Sequence, residues 1–427
     1  MAVLALLVLL ALAASGIYVA AVLGIMAVVL AESFSFFPLL PALGDIAWSA
    51  STEFVLVAVP LFILMGELLL RTGIAEDMFR ALDRWVNWVP GGLMHTNIAS
   101  TAMFAATSGS SVATAATIGT VAIPNIAKHK YNPPLFLGSL AAGGTLGILI
   151  PPSINMIIYA VLTESSVTDL YLAAMIPGVL LAAMFSLAIL AACVVKPGLS
   201  GSRIRSTWGE RIRSLKHLLP PIVLFLVVVG SIYAGWATPT EAASLGVVAA
   251  LGFGFARRRI NRRVLLAAFE GTMRTTAMVT LIVVIAFFLN FVLQSLGIIQ
   301  FVDDFMDGLN INPTLAILAI IAFYLVLGMF METLSMMIAT TPIVVPVILA
   351  LGFDQIWFGV VFMILIEAAL ITPPIGVNLF VVQAVRGGGP FRDVVVGSLP
   401  FLVMMIGMLF LLIAFPDMAL LLPRVFN

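Results

Sequence analysis

Two stretches of the sequence place hydroxyl groups and helix-breaking residues inside apolar surroundings. Residues 108–111 read Ser-Gly-Ser-Ser, and a proline pair, Pro151–Pro152, follows within "GILIPPSINM". Proline donates no backbone hydrogen bond and disfavours α geometry in the preceding residue, so a proline pair ends a helix. Carbonyl groups freed in this way are tolerated at membrane depth only where protein, water or an ion satisfies them. Oxygen atoms aimed from an unwound turn suit a hard cation such as Na⁺.

The second stretch repeats this arrangement 222 positions later. Glu332–Thr333 aligns with Ser110–Ser111, and Pro373–Pro374 aligns with the first proline pair. An acid within an intramembrane segment predicts a functional site, in which Glu332 would balance a cation, relay a proton or orient the segment. Glu367, just before the second pair, is either a site residue or a structural capping or interface residue, and the sequence leaves both interpretations open.

Simpler explanations account for part of this pattern. Small residues of "ATSGSSVATAATIGTVAIP" allow helices to pack closely, which explains Thr114, Thr117 and Thr120 in part. One proline pair alone would equally indicate a kink, but two pairs, each preceded by a polar segment, favour a site. A serine hydrolase is not expected, because this stretch has no GxSxG and no histidine lies in a neighbouring span to act as base.

The elements that position these residues are membrane helices. Of 427 residues, 62% are hydrophobic and 9% charged, whereas soluble domains are about 25% charged. The formal net charge is zero and Cys193 is the single cysteine, so neither a nucleic-acid partner nor a disulfide framework is indicated. No GxxxxGK[ST] motif occurs, so no nucleotide is expected. The fold class is an all-α polytopic membrane protein, with spans at 2–14, 17–31, 53–70, 134–163, 170–195, 220–236, 239–255, 277–295, 357–385 and 396–422. Residues 2–31 form either one span or two.

The basic residues predict the orientation of these spans. All but Arg424 of the 20 Lys and Arg residues can face the cytoplasm if the apolar regions 98–125 and 314–346 each enter and leave the membrane on one face. Ordinary spans in these two places would scatter positive charge over both faces. The charge pattern therefore predicts two re-entrant hairpins of opposite sense.

The same spacing of 222 residues relates the two halves of the chain. The spans 53–70 and 134–163 map onto apolar segments of the second half, but the charge pattern makes 53–70 run inward and 277–295 outward. We expect two inverted repeats, 1–195 and 220–427, joined by a basic cytoplasmic linker, 196–219. Each repeat would hold one hairpin and one broken helix, 134–163 or 357–385. Inverted repeats with interrupted helices are typical of secondary transporters, which bind substrate near the bilayer midplane.

Six stretches together resemble a known family: "VPLFILMGELLLRTG", "SGSSVATAATIGTVAIP", "GILIPPS", "WATPTEAASLG", "DQIWFGVV" and "LITPPIGVNLFV". The chain resembles the large, DctM-like membrane subunit of tripartite ATP-independent periplasmic (TRAP) transporters, within the ion transporter superfamily. The resemblance implies a Na⁺ symporter of the bacterial inner membrane that imports an organic anion such as a dicarboxylate or sialic acid. It also implies an elevator mechanism, in which the hairpins and broken helices move against a scaffold.

The resemblance further implies two partner proteins and a set of site residues. The partners are a small DctQ-like membrane subunit and a periplasmic DctP-like binding protein that delivers substrate. Two or more Na⁺ sites would use Ser108, Gly147, Ile150 and Pro152 in the first half, and Ala369 and Thr372 in the second. Substrate would contact Ser110, Ser111, Ser153, Asn155, Glu332, Thr333 and Asn378.

The chain departs from the family pattern at two of these places. The family often has glycine at the position of Ala369, and aspartate followed by proline at the position of Glu332–Thr333. These differences affect the expected geometry of the second site. The alternatives are a stand-alone Na⁺-coupled carboxylate carrier of the same superfamily and, less favoured, a channel. The substrate, the number of Na⁺ ions per cycle and any role for protons stay open at this point.

Overall fold

The computed structural model describes residues 17–202, 206–297, 312–329, 331 and 333–426, apart from the side chains of residues 106–108. In these ranges every regular element is helical. Seven of the described helices are long and apolar enough to cross a membrane, or eight if one bent pair is counted as a single span. The predicted all-α polytopic fold is confirmed. The predicted segment 2–14 and Glu332 lie outside the described residues.

Nineteen helices are used below and are numbered along the described part of the chain. They are α1 (Val19–Phe34), α2 (Leu43–Ser51), α3 (Ala58–Arg71), α4 (Ile74–Val86), α5 (Leu93–Ser108), α6 (Ser111–Ala122), α7 (Asn125–His129), α8 (Pro133–Leu149), α9 (Ile154–Thr163), α10 (Val167–Val195), α11 (Trp208–Phe225, continued by a π-helical turn to Tyr233), α12 (Pro239–Ala256), α13 (Arg262–Ser295), α14 (Pro313–Leu327), α15 (Thr333–Ala350), α16 (Gln355–Leu370), α17 (Val377–Arg386), α18 (Phe391–Ala414) and α19 (Asp417–Phe426).

The two predicted hairpins correspond to helix pairs with a break at the polar segment. In the first, α5 ends at Ser108. The next residue, Gly109, has the left-handed φ of +60° that favours glycine, and Ser110 then caps the start of α6. In the second, α14 and α15 are joined by a hydrogen bond from Tyr324 Oη to Thr340 Oγ1 of 2.6 Å. The first residues of α6 and α15, Ser111 and Thr333, are 222 positions apart.

The two broken helices form the buried centre of the molecule. Residues 135–149 of α8 and 357–370 of α16 are all buried, and such helices must be apolar on every side. Asn132 and Asp354, again 222 positions apart, cap α8 and α16 through their side-chain oxygens. The α8–α9 pair bends by 41° at Pro151–Pro152, and this peptide bond and Pro373–Pro374 are both cis.

The helix boundaries differ from the sequence prediction in three places. The span predicted at 220–236 begins at Trp208, inside the predicted linker 196–219, because a capping box between Thr207 and Glu210 starts the helix there. The span predicted at 277–295 begins at Arg262, after the capping residue Asn261. Charged first turns resemble loops in a hydropathy pattern, which is why both starts were placed too late. The span predicted at 396–422 is two helices, α18 and α19.

Candidate functional site

The tip of the first hairpin lies directly against the first helix break. A methyl group added to Gly147 of α8 would lie 3.0 Å from both the Cα and the backbone nitrogen of Ser111. One added to Gly109 would lie 3.5 Å from the carbonyl oxygen of Pro152. Glycine is therefore needed at Gly147 for the two backbones to approach. The predicted first Na⁺ group is brought together around this contact, although the side chain of Ser108 is not described.

The chemistry of the first break leaves a carbonyl without its usual donor. In a continuous helix, the N–H of residue 151 would bond to the carbonyl of Gly147, but Pro151 has no N–H. The residue before it, Ile150, still makes the ordinary helical bond, donating its N–H to the Leu146 carbonyl at 3.0 Å. A carbonyl freed at the end of a half-helix is the type of ligand that coordinates Na⁺ in transporters with broken helices. The residues present thus fit the predicted ion.

The second break has the same construction with one difference. Pro373 removes the N–H that would bond to the Ala369 carbonyl, but Thr372 donates its own N–H to that oxygen at 3.2 Å. The Thr372 hydroxyl donates to Ala368 at 2.7 Å. A methyl group added to Gly328 would collide with the Ala369 methyl. The alanine that replaces the family's usual glycine is accommodated because the hairpin presents glycine opposite it.

Four of the predicted substrate residues line one cavity of about 100 Å³: Ser110, Ser111, Asn155 and Thr333. Its other wall includes Ile63 of α3 and Thr275 of α13. An adjoining cavity of about 130 Å³ also contacts Ser110 and Thr275 and extends to Glu67, one turn from Arg71, at the end of α3 that the charge pattern places in the cytoplasm. The site therefore lies between the hairpin and broken-helix elements on one side and α3 and α13 on the other.

Two other predicted substrate residues do not line these cavities. Ser153 is fully buried, its hydroxyl caps α9 at Met156, and its backbone N–H and carbonyl both bond to the Tyr171 hydroxyl. Asn378 is also fully buried, and its Nδ2 donates to the Ala141 carbonyl at 3.3 Å. Both residues lie beside the breaks, where they fix backbone rather than face open space.

Sequence reasoning missed the scaffold side of the site. Thr275 lines both cavities, and Val279, one turn further along α13, lines the smaller one. A signal was present in "RTTAMVT", residues 274–280, where hydroxyl groups recur within an apolar span. Glu367, whose role the sequence left open, accepts a hydrogen bond from Ser111 at 2.5 Å, which links the second broken helix to the first hairpin.

Comparison with solved structures shows which known proteins share this fold. The fold matches a crystal structure of the YdaH transporter of Alcanivorax borkumensis with a TM-score of 0.69, 13% identity and coverage of 94% of this chain and 97% of that one. It matches MtrF of Neisseria gonorrhoeae, described as an antimetabolite efflux pump, with a TM-score of 0.61 and 12% identity over 88% and 83% of the chains. The fold is that of a polytopic membrane transporter.

Sequence comparison identifies the family within this class. The profile of the tripartite ATP-independent periplasmic transporter, DctM component, matches residues 3–418. The large permease proteins DctM for C4-dicarboxylates in Pseudomonas aeruginosa and SiaM for sialic acid in Vibrio cholerae are each 32% identical, covering 88% of this chain and 88% and 87% of their own lengths. TeaC for ectoine in Halomonas elongata is 29% identical. The chain belongs to the DctM family of TRAP transporter large permeases and is a multi-pass protein of the bacterial inner membrane.

Proposed function

We propose that this chain imports a small organic acid by Na⁺ symport, as the large permease of a TRAP system. The observation that carries the proposal is the convergence of three helix N-termini on one cavity. Helices α6, α9 and α15 begin at Ser111, Ile154 and Thr333, and all three residues line it. Helix N-termini carry partial positive charge and unpaired N–H groups, which attract an anion.

The lining of the cavity favours recognition by hydroxyl, amide and backbone groups. No Lys or Arg contributes to either cavity in the described part of the chain. A carboxylate would accept hydrogen bonds from Ser110, Asn155 and Thr333 and from the helix N-termini. Ser111 would contribute through its backbone N–H, because its hydroxyl donates to Glu367. Ser153 and Asn378 would hold the adjacent backbone. Glu332 would contact substrate at the second hairpin, as the resemblance implies.

Na⁺ would be the cargo that drives uptake. The first site would use oxygens of Ser108, Gly147, Ile150 and Pro152, and the second those of Ala369 and Thr372. The supporting observation is the pairing of each proline break with the tip or end of a hairpin, as Gly147 with Ser111 and Ala369 with Gly328. We expect no nucleotide and no enzymatic reaction, so the ion gradient supplies the free energy.

The remaining parts of the proposal concern movement and partners. The cavities separate the hairpins and broken helices from α3 and α13, which is the division that an elevator mechanism requires. A small DctQ-like membrane subunit and a periplasmic DctP-like binding protein would complete the system. The relatives named for C4-dicarboxylates, sialic acid and ectoine make a carboxylate-bearing compound the first class to test.

The test is uptake into proteoliposomes that contain this chain and its small subunit. Uptake of the carboxylate held by the cognate binding protein is measured with an inward Na⁺ gradient, with K⁺ in its place, and with or without the binding protein. The proposal expects uptake only when Na⁺ and the binding protein are both present. Uptake with Na⁺ alone would indicate a stand-alone carrier, and equal uptake in K⁺ would refute Na⁺ coupling.

A further inference from the structure

Glu367 joins the two halves of the molecule at the site. Its Oε1 accepts the hydrogen bond from Ser111 of the first hairpin, 256 residues away in the chain. The side chain is buried, and its Oε2 has no hydrogen-bond partner among the residues that the structure describes. Burial of a carboxylate is unfavourable unless its partners compensate, so apolar packing alone does not explain an acid here.

The corresponding position of the first half carries no such link. Thr145 lies 222 residues before Glu367, and its hydroxyl donates to the Ala142 carbonyl of its own helix at 2.6 Å. The second broken helix is therefore bonded to the first hairpin through Glu367, whereas the equivalent residue of the first broken helix makes no such bond to the second hairpin in the part of the chain that the structure describes. It is an addition to the repeat rather than a consequence of it.

A second contact supports the same connection on the other side of the second break. Asn378 of α17 donates to Ala141 of α8. A methyl group added to Gly144 of α8 would lie 3.1 Å from Asn378 Nδ2 and 3.2 Å from the Ser111 carbonyl oxygen. Polar side chains before and after Pro373–Pro374 thus hold the first hairpin and the first broken helix at one place.

We propose that Glu367 is a positioning residue that couples the two Na⁺ sites by fixing the first hairpin tip to the second broken helix. The inference rests on the proposed Na⁺ symport. Ser111 packs on Gly147 of the first ion group, and Glu367 lies two residues before Ala369 of the second. An ion that orders the hairpin tip at the first Na⁺ site therefore also orders the end of α16 at the second Na⁺ site.

The expected consequence is cooperative Na⁺ binding that depends on this hydrogen bond. Coupling between two sites changes affinity typically by about 5- to 150-fold. Without the link, each ion must order its own half, so the half-saturating Na⁺ concentration rises by about tenfold and the Hill coefficient falls towards one.

The experiment uses the purified full-length chain in lipid nanodiscs. NaCl is titrated against choline chloride at constant ionic strength, and the melting temperature reports ion binding because a ligand of the folded state raises it. The variants are Glu367→Leu, Glu367→Gln, Ser111→Ala and the double variant Ser111→Ala/Glu367→Leu. Thr145→Val is the matched control, since its hydroxyl bonds to Ala142 of its own helix and to Met405 Sδ of α18, and so takes no part in the link between the first hairpin and the second broken helix.

The variants separate a positioning role from other roles. Glu367→Gln keeps the acceptor for Ser111 and should stay within about threefold of wild type, whereas Glu367→Leu should lose about tenfold in Na⁺ affinity. The double variant should be no worse than either single variant that breaks the bond. A Gln variant as defective as Leu would mean that the charge itself acts, and a Leu variant with wild-type Na⁺ response would remove the coupling; either result overturns the inference.

Hydrogen exchange of the tip in Na⁺-free buffer keeps this test distinct from that of the proposed function. Loss of the link by Glu367→Leu or Ser111→Ala should speed exchange of amides in residues 109–118 by about tenfold. Unchanged exchange would refute the link, whatever ion the protein binds. A wild-type melting temperature that responds equally to Na⁺ and choline would refute the proposed ion coupling and, with it, the coupling role of Glu367.

Discussion

At the scale of single residues, glycine determines how closely the first hairpin approaches the first break. Backbone atoms of Ser111 lie 3.0 Å from the point where a Cβ atom of residue 147 would be. Backbone cannot move aside as a flexible side chain can, so an added methyl group must displace the tip by a few tenths of an ångström. Because a misplacement of about 1 Å can cost about a hundredfold in activity, this smaller shift should cost less than that.

Gly147→Ala should therefore reduce Na⁺-dependent uptake by at least about tenfold while the protein still inserts and folds. Gly252→Ala is the matched control, because Gly252 also lies within a helix and has no atom within 4 Å of an added methyl group. Uptake and the amount of folded protein are measured for both variants. Equal uptake in the two variants would show that the tip does not need this close approach.

The same scale shows what a sequence can and cannot predict about a site. The proline pairs and the polar tip were informative because their effect on the backbone is local: a missing N–H frees a carbonyl wherever it occurs. The contact between Ser111 and Glu367 was not predictable, since it joins residues 256 positions apart whose local surroundings do not specify each other. For Thr275 the recurring hydroxyl groups of residues 274–280 were a local signal, but that it faces the cavity depends on how α13 packs.

At the scale of elements, α4 connects the α3 span to the first hairpin and is held by charge at its start. Asp77 accepts a hydrogen bond from Arg257 at 2.8 Å and lies 3.4 Å from Arg259, and both arginines follow the end of α12 that the charge pattern predicts to be cytoplasmic. The side chains of Asp77 and Arg257 are 14% and 21% exposed, so this pair is screened less than a surface pair.

Asp77→Asn should lower the free energy of unfolding by about 1–2 kcal/mol, because Arg257 loses its charged partner and Arg259 is left with the backbone carbonyls of Thr72 and Gly73. Glu76→Gln, in the same helix, breaks the exposed pair with Arg80 and should change stability by less than about 0.5 kcal/mol. Thermal unfolding of both variants in nanodiscs gives the comparison. A Glu76 variant as unstable as the Asp77 variant would contradict the larger contribution to stability that is assigned to Asp77 and its two arginines.

A second carboxylate of α4 predicts a pH dependence. Burial raises the pKa of Asp83 to about 6, against the smaller opposing effects of the Asn87 hydrogen bond, Arg84 and Lys128. Because the folded pKa is above the unfolded one, the folded state binds the proton more tightly. Stability should therefore increase as pH falls from about 7 to about 4, and level off below that range.

Asp83→Asn should remove this dependence and make the protein more stable than wild type at pH 7.5, by about 1–2 kcal/mol after allowance for partial solvent exposure. The difference in melting temperature between the two proteins should become steadily smaller towards pH 4.5. The measurement is the melting temperature across pH 4.5 to 7.5. A wild-type protein that becomes less stable towards pH 4.5 relative to the Asn variant would contradict the raised pKa of Asp83.

At the scale of the whole molecule, helix starts separated by 222 residues reflect the proposed repeat. The equivalent caps Asn132 and Asp354, and the equivalent starts Ser111 and Thr333, support the repeat on grounds other than hydropathy. Much of this architecture was predictable, because prolines, caps and apolar length act locally. The starts of α11 and α13 were missed although their caps, Thr207 with Glu210 and Asn261, are local signals, because their charged first turns lower the hydropathy from which spans are predicted.

The proposed site is one cavity, where three helix N-termini meet α3 and α13. The most direct test is Na⁺-gradient-driven uptake by the reconstituted system with wild-type protein, Ser110→Ala, Pro152→Ala and the control Thr145→Val. We predict that wild type and Thr145→Val take up substrate only with Na⁺, and that the other two variants insert normally but lose at least about tenfold of that uptake. Normal Na⁺-dependent uptake by both Ser110→Ala and Pro152→Ala would contradict the location of the site.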